Sequence, residues 1–257
     1  MGFDAHIHLD FPEFDEDRTG VVERARSAGV VRMVLAGTEP QHWDRTARVA
    51  TTFGFPFTLG VHPWYIDPDA SIDAAMAHLA CSASAADGLG ELGLDFIHAR
   101  DSGSRERQVA WFRAQLAVAR DLERPIVLHA VRCHAELLRL LKRDGCPRAG
   151  GMLHAWSGAP EQVAEFLRHG LYLSFDLRTL ARASARTLHS MRATPDDRVL
   201  LESDAPGRWQ GRRTEPADVR SAAHHAADLL GRSFDTIWEQ TAQNAERLWG
   251  KRASPRP

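Results

Sequence analysis

Short apolar segments alternate with longer segments of helical spacing along the whole chain, and this alternation limits the possible folds more than any other feature. The segments typical of strands cover residues 3–7, 31–36, 55–60, 88–92, 125–129, 151–154, 171–175 and 199–202. The helical segments cover residues 16–28, 40–52, 70–80, 105–123, 133–143, 160–169, 179–192 and 215–230, and a final helix is expected over 234–248. Eight strands that alternate with helices predict an α/β fold of the (β/α)8 TIM barrel type. Periodicity does not report whether a sheet closes, so a doubly wound open sheet is the alternative.

The composition is that of a globular chain with a large core. The 257 residues are 44% hydrophobic and 26% charged, which is enough to bury a core without disulfides. No linker or internal repeat interrupts the pattern, so we expect one domain over residues 1–252 and a flexible proline-rich tail over 253–257. The sequence predicts neither a membrane span nor a signal peptide, and its three cysteines form no C-x-x-C pair. These features favour a cytoplasmic protein that does not contact a membrane.

Side chains that ligate metals recur where the predicted strands end. His6 and His8 are two residues apart on the first strand, so they share a face. Corresponding places on later strands hold Glu91, His129, His154 and Asp204. Barrel enzymes assemble their active sites at the carboxyl ends of the strands, and burying several ionisable groups there without partners would cost several kcal/mol. The pattern therefore predicts a divalent metal site at that end, although His6 and His8 alone would be equally typical of two structural histidines.

The motifs around these residues resemble those of the TatD-type metal-dependent hydrolases, which belong to the amidohydrolase-like barrels. The matching motifs are Asp4-Ala5-His6-Ile7-His8, Gly60-Val61-His62-Pro63, Gly90-Glu91-Leu92-Gly93-Leu94-Asp95, Leu128-His129, His154-Ala155-Trp156-Ser157-Gly158, Glu202-Ser203-Asp204-Ala205-Pro206 and Asn244-Ala245. Their joint order spans nearly the whole chain, and Arg132 and His134 resemble the YjjV-like branch. The resemblance implies a TIM barrel and metal-dependent hydrolysis, typically of DNA from a 3′ end.

Three positions depart from the family pattern. Ser203 stands where threonine is usual, and Trp156 stands where phenylalanine is usual. The segment Leu173-Ser174-Phe175-Asp176-Leu177 replaces a turn that is often rich in glycine. This last departure concerns one wall of the substrate pocket rather than the metal centre.

The resemblance also implies a ligand set and a cofactor. Two divalent metal ions (Mg²⁺, Mn²⁺ or Zn²⁺) would be held by His6, His8, Glu91, His129, His154 and Asp204. Glu91 would be the bridging carboxylate, and Asp204 would both ligate one ion and accept a proton from the attacking water. Glu91 and Asp204 are therefore the predicted catalytic residues. The mixture of imidazoles and carboxylates leaves the identity of the metal open.

Candidate substrate contacts are His62, Arg132 and Trp156. His62 could donate to a phosphate or a leaving group, or it could be a loop histidine that packs beside Pro63 and Trp64. Arg132 could grip a phosphate, or it could form a surface salt bridge. Trp156 and Trp64 could stack on a nucleobase, or they could close the top of the barrel as core residues, and we favour the core position for Trp64.

The charge of the chain bears on its substrate. A net charge of −2 argues against tight binding to duplex DNA, which depends on extensive phosphate neutralisation. We therefore expect a 3′ exonuclease that acts on single-stranded or frayed DNA ends. One alternative is that the same site hydrolyses another ester or amide, such as an aminoacyl-tRNA or a small molecule. Another is an accessory subunit of a multi-protein defence system, in which the metal site serves stability or docking.

Overall fold

Eight parallel strands form a single sheet in the order in which they follow one another along the chain. The computed structural model describes residues 1–250, so the tail predicted over 253–257 lies outside the described residues. The strands are β1 (Gly2–Ile7), β2 (Val30–Ala36), β3 (Phe57–Leu59), β4 (Gly88–Asp95), β5 (Ile126–Val131), β6 (Gly151–Leu153), β7 (Leu171–Asp176) and β8 (Val199–Glu202). The two edges meet where the Asp204 amide donates to the His6 carbonyl at 3.2 Å and the His8 amide donates to the Ala205 carbonyl at 2.8 Å. The fold is the predicted TIM barrel rather than an open sheet.

Ten α-helices are found within residues 1–250. They are α1 (Arg18–Ser27), α2 (Trp43–Phe53), α3 (Ile72–Ser82), α4 (Ser102–Asp121), α5 (His134–Asp144), α6 (Val163–Leu167), α7 (Leu177–Ala181), α8 (Ala185–Ala193), α9 (Val219–Leu230) and α10 (Phe234–Trp249). A short antiparallel hairpin follows β8, and its two strands, β9 (Arg208–Trp209) and β10 (Arg212–Arg213), have two residues each. In this part of the chain no helix has both the length and the apolar character needed to cross a membrane.

Two of the differences from the sequence prediction have a clear local basis. The single helix expected over 179–192 is two helices, because Ala183 adopts a left-handed φ of 46°. The Ser184 hydroxyl then accepts a hydrogen bond from the Thr187 amide at the start of α8, which begins a new helix. The strand expected over 88–92 continues to Asp95, past glycines that interrupt its apolar pattern.

The last helix covers the amino end of the barrel and leaves the carboxyl end open. Trp238 of α10 packs against Gly2, the first residue of β1, where an added Cβ would lie 1.9 Å from the indole. Trp249 packs in the same way against Gly88, the first residue of β4. The Asn244 side-chain amide donates to the Val199 carbonyl at 2.8 Å and so fixes the start of β8 to the same helix.

Apolar side chains lie in the barrel below the carboxyl end. Val127, Met152 and Leu200 belong to one buried cluster with residues of α10. Each is two residues before a polar residue of the site, namely His129, His154 and Glu202. Because alternate residues of a strand share a face, these apolar side chains form the floor on which the polar side chains rest.

Candidate metal centre

The six predicted ligands lie together at the carboxyl end of the barrel, in two groups that share Glu91. In the first group, the His6 Nε2 atom lies 3.3 Å from His8 Nε2, 3.4 Å from Glu91 Oε2 and 3.8 Å from Asp204 Oδ1. The His8 Nε2 atom lies 3.5 Å from Glu91 Oε2 and 3.7 Å from Asp204 Oδ1. Ligand atoms around a tetrahedral ion with bonds of 2.0–2.1 Å are about 3.3 Å apart. The spacing of these four atoms therefore fits a divalent ion between them.

The hydrogen bonds of His8 orient its imidazole as a ligand. Its Nδ1 atom lies 2.9 Å from the Ala36 carbonyl, which can only accept, so Nδ1 carries the hydrogen. The lone pair on Nε2 is left to face the other ligand atoms. Metal-ligating histidines are commonly fixed by such a hydrogen bond from the second ring nitrogen.

The second group surrounds the other oxygen of Glu91. The Glu91 Oε1 atom lies 2.7 Å from His154 Nε2 and 2.8 Å from His129 Nδ1. Behind His154, the buried Glu202 carboxylate lies 3.3 Å from Nδ1, and its same oxygen accepts from the Ala155 amide at 2.8 Å. Behind His129, the Asp95 carboxylate lies 3.5 Å from Nε2. Each imidazole thus has a carboxylate on its far side and presents the nearer nitrogen to Glu91.

Glu91 can take this central place because glycines flank it on β4. At Gly93, whose φ is 153°, an added Cβ would lie 2.0 Å from the His129 carbonyl oxygen, so only glycine allows β4 and β5 to approach there. Burial alone would raise the pKa of the Glu91 carboxyl, but the neighbouring histidines, His154 foremost, lower it well below its usual value. In turn, burial alone would lower the pKa of His154, but the Glu91 and Glu202 carboxylates raise it well above its usual value. The Glu91 carboxylate and the surrounding imidazoles therefore attract one another strongly.

Asp204 is held by an arginine that the sequence analysis did not identify. The Arg178 Nη2 atom donates to Asp204 Oδ2 at 2.6 Å, and its Nε atom donates to Asp176 Oδ2 at 2.9 Å. Asp176 also accepts from the Thr179 amide at the start of α7. Because Oδ2 is occupied in this way, Oδ1 of Asp204 faces His6. Burial opposes ionisation of Asp204, but the histidines of the site and Arg178 lower the pKa of this carboxyl overall.

A buried carboxyl connects the two edge strands directly beside the ligands. Asp4 accepts hydrogen bonds from the Ser203 amide at 2.9 Å and from the Ser203 hydroxyl at 2.5 Å. Burial raises the pKa of Asp4 well above its usual value in spite of these bonds. Asp4 precedes His6 by two residues and Ser203 directly precedes Asp204, so this contact sets the distance between two ligands on different strands.

The ligands open into a pocket of about 180 Å³ that includes His62. The His62 Nδ1 atom accepts from the Trp64 amide at 3.1 Å, so the hydrogen of the neutral ring is on Nε2, which lies 3.4 Å from Glu91 Oε1. Burial lowers the pKa of His62 to about 4, in spite of the attraction of Glu91. His62 is therefore neutral at pH 7 and carries an N–H group at the pocket, and its donation to a phosphate or a leaving group stays a prediction.

The sequence favoured a core position for Trp64 and a substrate contact for Trp156, and the structure places these two residues the other way round. Trp64 is 52% exposed at the rim of the pocket, and its indole N–H donates to the Asp95 carboxylate at 2.7 Å. Trp156 is only 2% exposed and packs edge-on against His134 and Phe166 in the core, outside the set of residues that lines the pocket. The prediction that Trp156 stacks on a nucleobase is therefore corrected, because neither face of its ring is accessible.

Arg132, the remaining predicted substrate contact, lies at the surface. It is exposed directly after β5, with a left-handed φ of 56°, and does not line the metal pocket. Its contact with a phosphate stays a prediction.

Comparison with known proteins gives one consistent result. Residues 3–250 match the family model described as TatD related DNase. A relative from Erwinia amylovora, described as the 3′-5′ ssDNA/RNA exonuclease TatD, is 32% identical over 260 residues, which cover 96% of this chain and 99% of the relative. YabD of Bacillus subtilis, described as an uncharacterized metal-dependent hydrolase, is 29% identical over 97% of this chain and 99% of its own. Among solved structures, the TatD homolog YjjV from Escherichia coli K12 has a TM-score of 0.88 at 26% identity, over 98% of both chains.

Proposed function

Because the chain belongs to the TatD-related DNase family and is a metal-dependent hydrolase, we propose that it removes nucleotides from the 3′ end of single-stranded DNA. The observation that carries this proposal is the arrangement of two ligand groups around the two oxygens of Glu91. Paired metal sites of this kind suit the displacement of an oxygen at phosphorus, because one site serves the attacking oxygen and the other the leaving oxygen.

Two divalent ions, Mg²⁺, Mn²⁺ or Zn²⁺, fit the donor atoms present. His6, His8 and Asp204 would hold the first ion. His129 and His154 would hold the second, and the Glu91 carboxylate between the two groups would contribute to both. Bound there, such ions would polarise a phosphoryl oxygen and make a water nucleophilic at neutral pH.

Residues of the chain itself supply the proton transfers. Asp204 is held ionised by its neighbours, so its carboxylate can accept the proton of the attacking water. Arg178 keeps Oδ2 of Asp204 in place during that transfer. The neutral His62 can donate its Nε2–H to a phosphate oxygen or to the leaving oxygen, which stabilises the charge that develops there.

The rim of the pocket suits an unpaired strand end. Trp64 and Tyr65 are both exposed at the rim, and Phe11 stacks on the imidazole of His8 with 4.7 Å between ring centroids. Aromatic faces of this kind hold nucleobases without sequence preference. The description of several relatives as 3′-5′ exonucleases on single-stranded DNA or RNA supports the proposed polarity.

The test uses single-stranded DNA labelled at either end, with Mg²⁺, Mn²⁺, Zn²⁺ or EDTA. Digestion from the 3′ end predicts a ladder from 5′-labelled DNA and immediate release of a labelled mononucleotide from 3′-labelled DNA. Asp204→Asn should abolish both, while Asp69→Asn, the same change on an exposed loop, should leave them unchanged. A matched RNA strand, tested in parallel, decides the sugar preference.

Two outcomes would contradict the proposal. A ladder from 3′-labelled DNA would reverse the polarity. Intact DNA and RNA in every lane, from folded protein loaded with metal, would favour another ester or amide as the substrate, or a role as an accessory subunit.

A further inference from the structure

An exposed apolar surface continues from the metal pocket at the carboxyl end of the barrel. The exposed large hydrophobic side chains within residues 1–250 are Met1, Trp64, Tyr65 and Ile97. Met1 precedes β1 at the opposite end, whereas the other three follow β3 or β4 at the barrel mouth. Trp64 and Tyr65 also line the pocket, and His98, the residue after Ile97, is exposed as well. Single exposed apolar residues are common, but a group of them beside a pocket is typical of a binding surface.

One buried carboxylate fixes this surface in place. The Asp95 Oδ2 atom accepts a hydrogen bond from the Trp64 indole at 2.7 Å. The Oδ1 atom accepts from the backbone amides of Ile97 and His98, at 2.8 and 2.9 Å. The His98 ring stacks on Trp64 with 5.9 Å between the ring centroids.

The same carboxylate connects the surface to the metal centre. Asp95 Oδ2 lies 3.5 Å from Nε2 of the ligand His129. The surface therefore has a defined position relative to the metal ligands before any substrate arrives. A surface that is ordered in advance loses little conformational entropy when a ligand binds to it.

The neighbouring part of the mouth, after β1 and β2, carries negative charge. Burial raises the pKa of the Tyr65 phenol, and so do three nearby carboxylates, those of Glu39, Glu91 and Glu13. By contrast, the segment 96–100 after β4 contains no carboxylate and one exposed arginine. A polyanionic strand is therefore repelled from the side of Glu13 and Glu39 and leaves the pocket more favourably over the segment after β4.

We propose that Trp64, Ile97 and His98 form a binding surface for the nucleobase next to the 3′-terminal one, and that the strand leaves the metal pocket over the segment after β4. This inference rests on the nuclease proposed above. A water molecule takes about 30 Å³ of liquid, so the pocket of about 180 Å³ holds about six waters, which is enough for a phosphate but not for two nucleotides. The second base then lies outside the pocket, beside Trp64. Stacking on aromatic rings accepts every base, so the surface suits digestion without sequence preference.

The first experiment measures strand binding without cleavage. A short single-stranded DNA with phosphorothioates at its terminal linkages, which resist hydrolysis, is labelled at its 5′ end and titrated with the full chain loaded with Zn²⁺. Fluorescence anisotropy gives the dissociation constant. Ile97→Asp should raise it about fivefold or more, because an apolar contact with the base is lost and a like charge faces the strand. Ala85→Asp, which adds the same charge on an exposed loop at the amino end of the barrel, is the matched control and should leave the constant unchanged.

Equal dissociation constants in Ile97→Asp and Ala85→Asp would overturn the proposal. If the molecular mass in solution then fell in Ile97→Asp alone, the surface would instead be a contact between two copies of the chain.

The second experiment identifies the base that is bound. Removal of the base next to the 3′-terminal one should weaken binding to the unaltered chain about fivefold or more. The same removal should have little further effect in Trp64→Ala, because both changes remove one contact. Removal of a base near the 5′ end is the matched control, and its effect should be equal in both proteins. Additive losses for the second base would overturn the proposal.

The surface and the nuclease can fail separately, because both experiments measure binding. Digestion from the 3′ end with equal binding by Ile97→Asp and Ala85→Asp would overturn the surface and leave the nuclease. A non-additive loss for the second base, in a protein that cleaves no strand, would leave the surface and overturn the nuclease.

Discussion

Replacing Glu202 by glutamine tests whether the carboxylate behind His154 controls metal binding. Glu202 is fully buried, and one of its oxygens serves both His154 Nδ1 at 3.3 Å and the Ala155 amide at 2.8 Å. Glutamine keeps the shape and can accept both hydrogen bonds through its carbonyl, but it removes the negative charge that makes His154 a better ligand. Loss of such a partner lowers metal affinity or activity by roughly 10- to 100-fold, and we expect the lower end of that range for glutamine.

Leucine at the same position separates charge from hydrogen bonding. Glu202→Leu also removes the acceptor, which leaves the Ala155 amide and His154 Nδ1 without a partner and costs about 1–3 kcal/mol of unfolding free energy. Glu202→Gln should show weaker metal binding and a loss of unfolding free energy in EDTA, because it removes the charge that holds the pKa of His154 above its usual value. Glu202→Leu should show a larger loss of unfolding free energy, because it removes the hydrogen-bond acceptor as well.

Calorimetric titration of EDTA-treated protein with Zn²⁺ or Mn²⁺, together with kcat/KM, provides the measurement. Urea unfolding in EDTA gives the stability of each variant. Glu239→Gln on the exposed side of α10 is the matched control for the change of charge. Metal affinities in Glu202→Gln within twofold of the unaltered chain would refute the reasoning, since the carboxylate would then have no influence on His154.

Three further changes test other parts of the site. Trp64→Ala should raise KM for single-stranded DNA roughly 5- to 150-fold, because base stacking worth about 1–3 kcal/mol is lost, and an unchanged KM would remove Trp64 from the substrate path. Arg178→Met should lower kcat roughly 5- to 30-fold, since a partly exposed ionic hydrogen bond to Asp204 contributes about 1–2 kcal/mol, and Arg178→Lys should restore part of it in steady-state assays. Burial lowers the pKa of His134 to about 4, below the value of about 6.5 expected in the unfolded chain. As the pH falls from about 6.5 to about 4, the unfolded chain therefore binds a proton that the folded chain does not, and the free energy of unfolding decreases. His134→Phe should remove up to about 3 kcal/mol of that decrease in urea titrations, and an equally steep loss in the variant would contradict the assignment.

The fold and the clustering of the candidate ligands at one end of the barrel could be predicted because both depend on short sequence periods. Each strand of a barrel is a short apolar run, and all eight predicted runs coincide with strands to within a few residues. Side chains two residues apart on a strand share a face, so His6 and His8 had to point the same way. The carboxyl ends of parallel strands meet at one end of a barrel, so Glu91 and Asp204 had to approach the histidines in spite of their distance along the chain.

The residues that sequence reasoning misplaced depend on conformations without a sequence period. Ala155 adopts a left-handed φ of 43°, which breaks the alternation that would have aimed Trp156 to the same side as His154, so the ring turns into the core against Phe166. Arg178 reaches Asp204, which is 26 residues further along the chain, only because α7 begins directly after β7 at the mouth of the barrel. Such a contact joins a long flexible side chain to a carboxylate far along the chain, and neither helical nor strand periodicity carries information about it. The side chains that hold the ligands in place therefore become visible only once the loops at the carboxyl end are known.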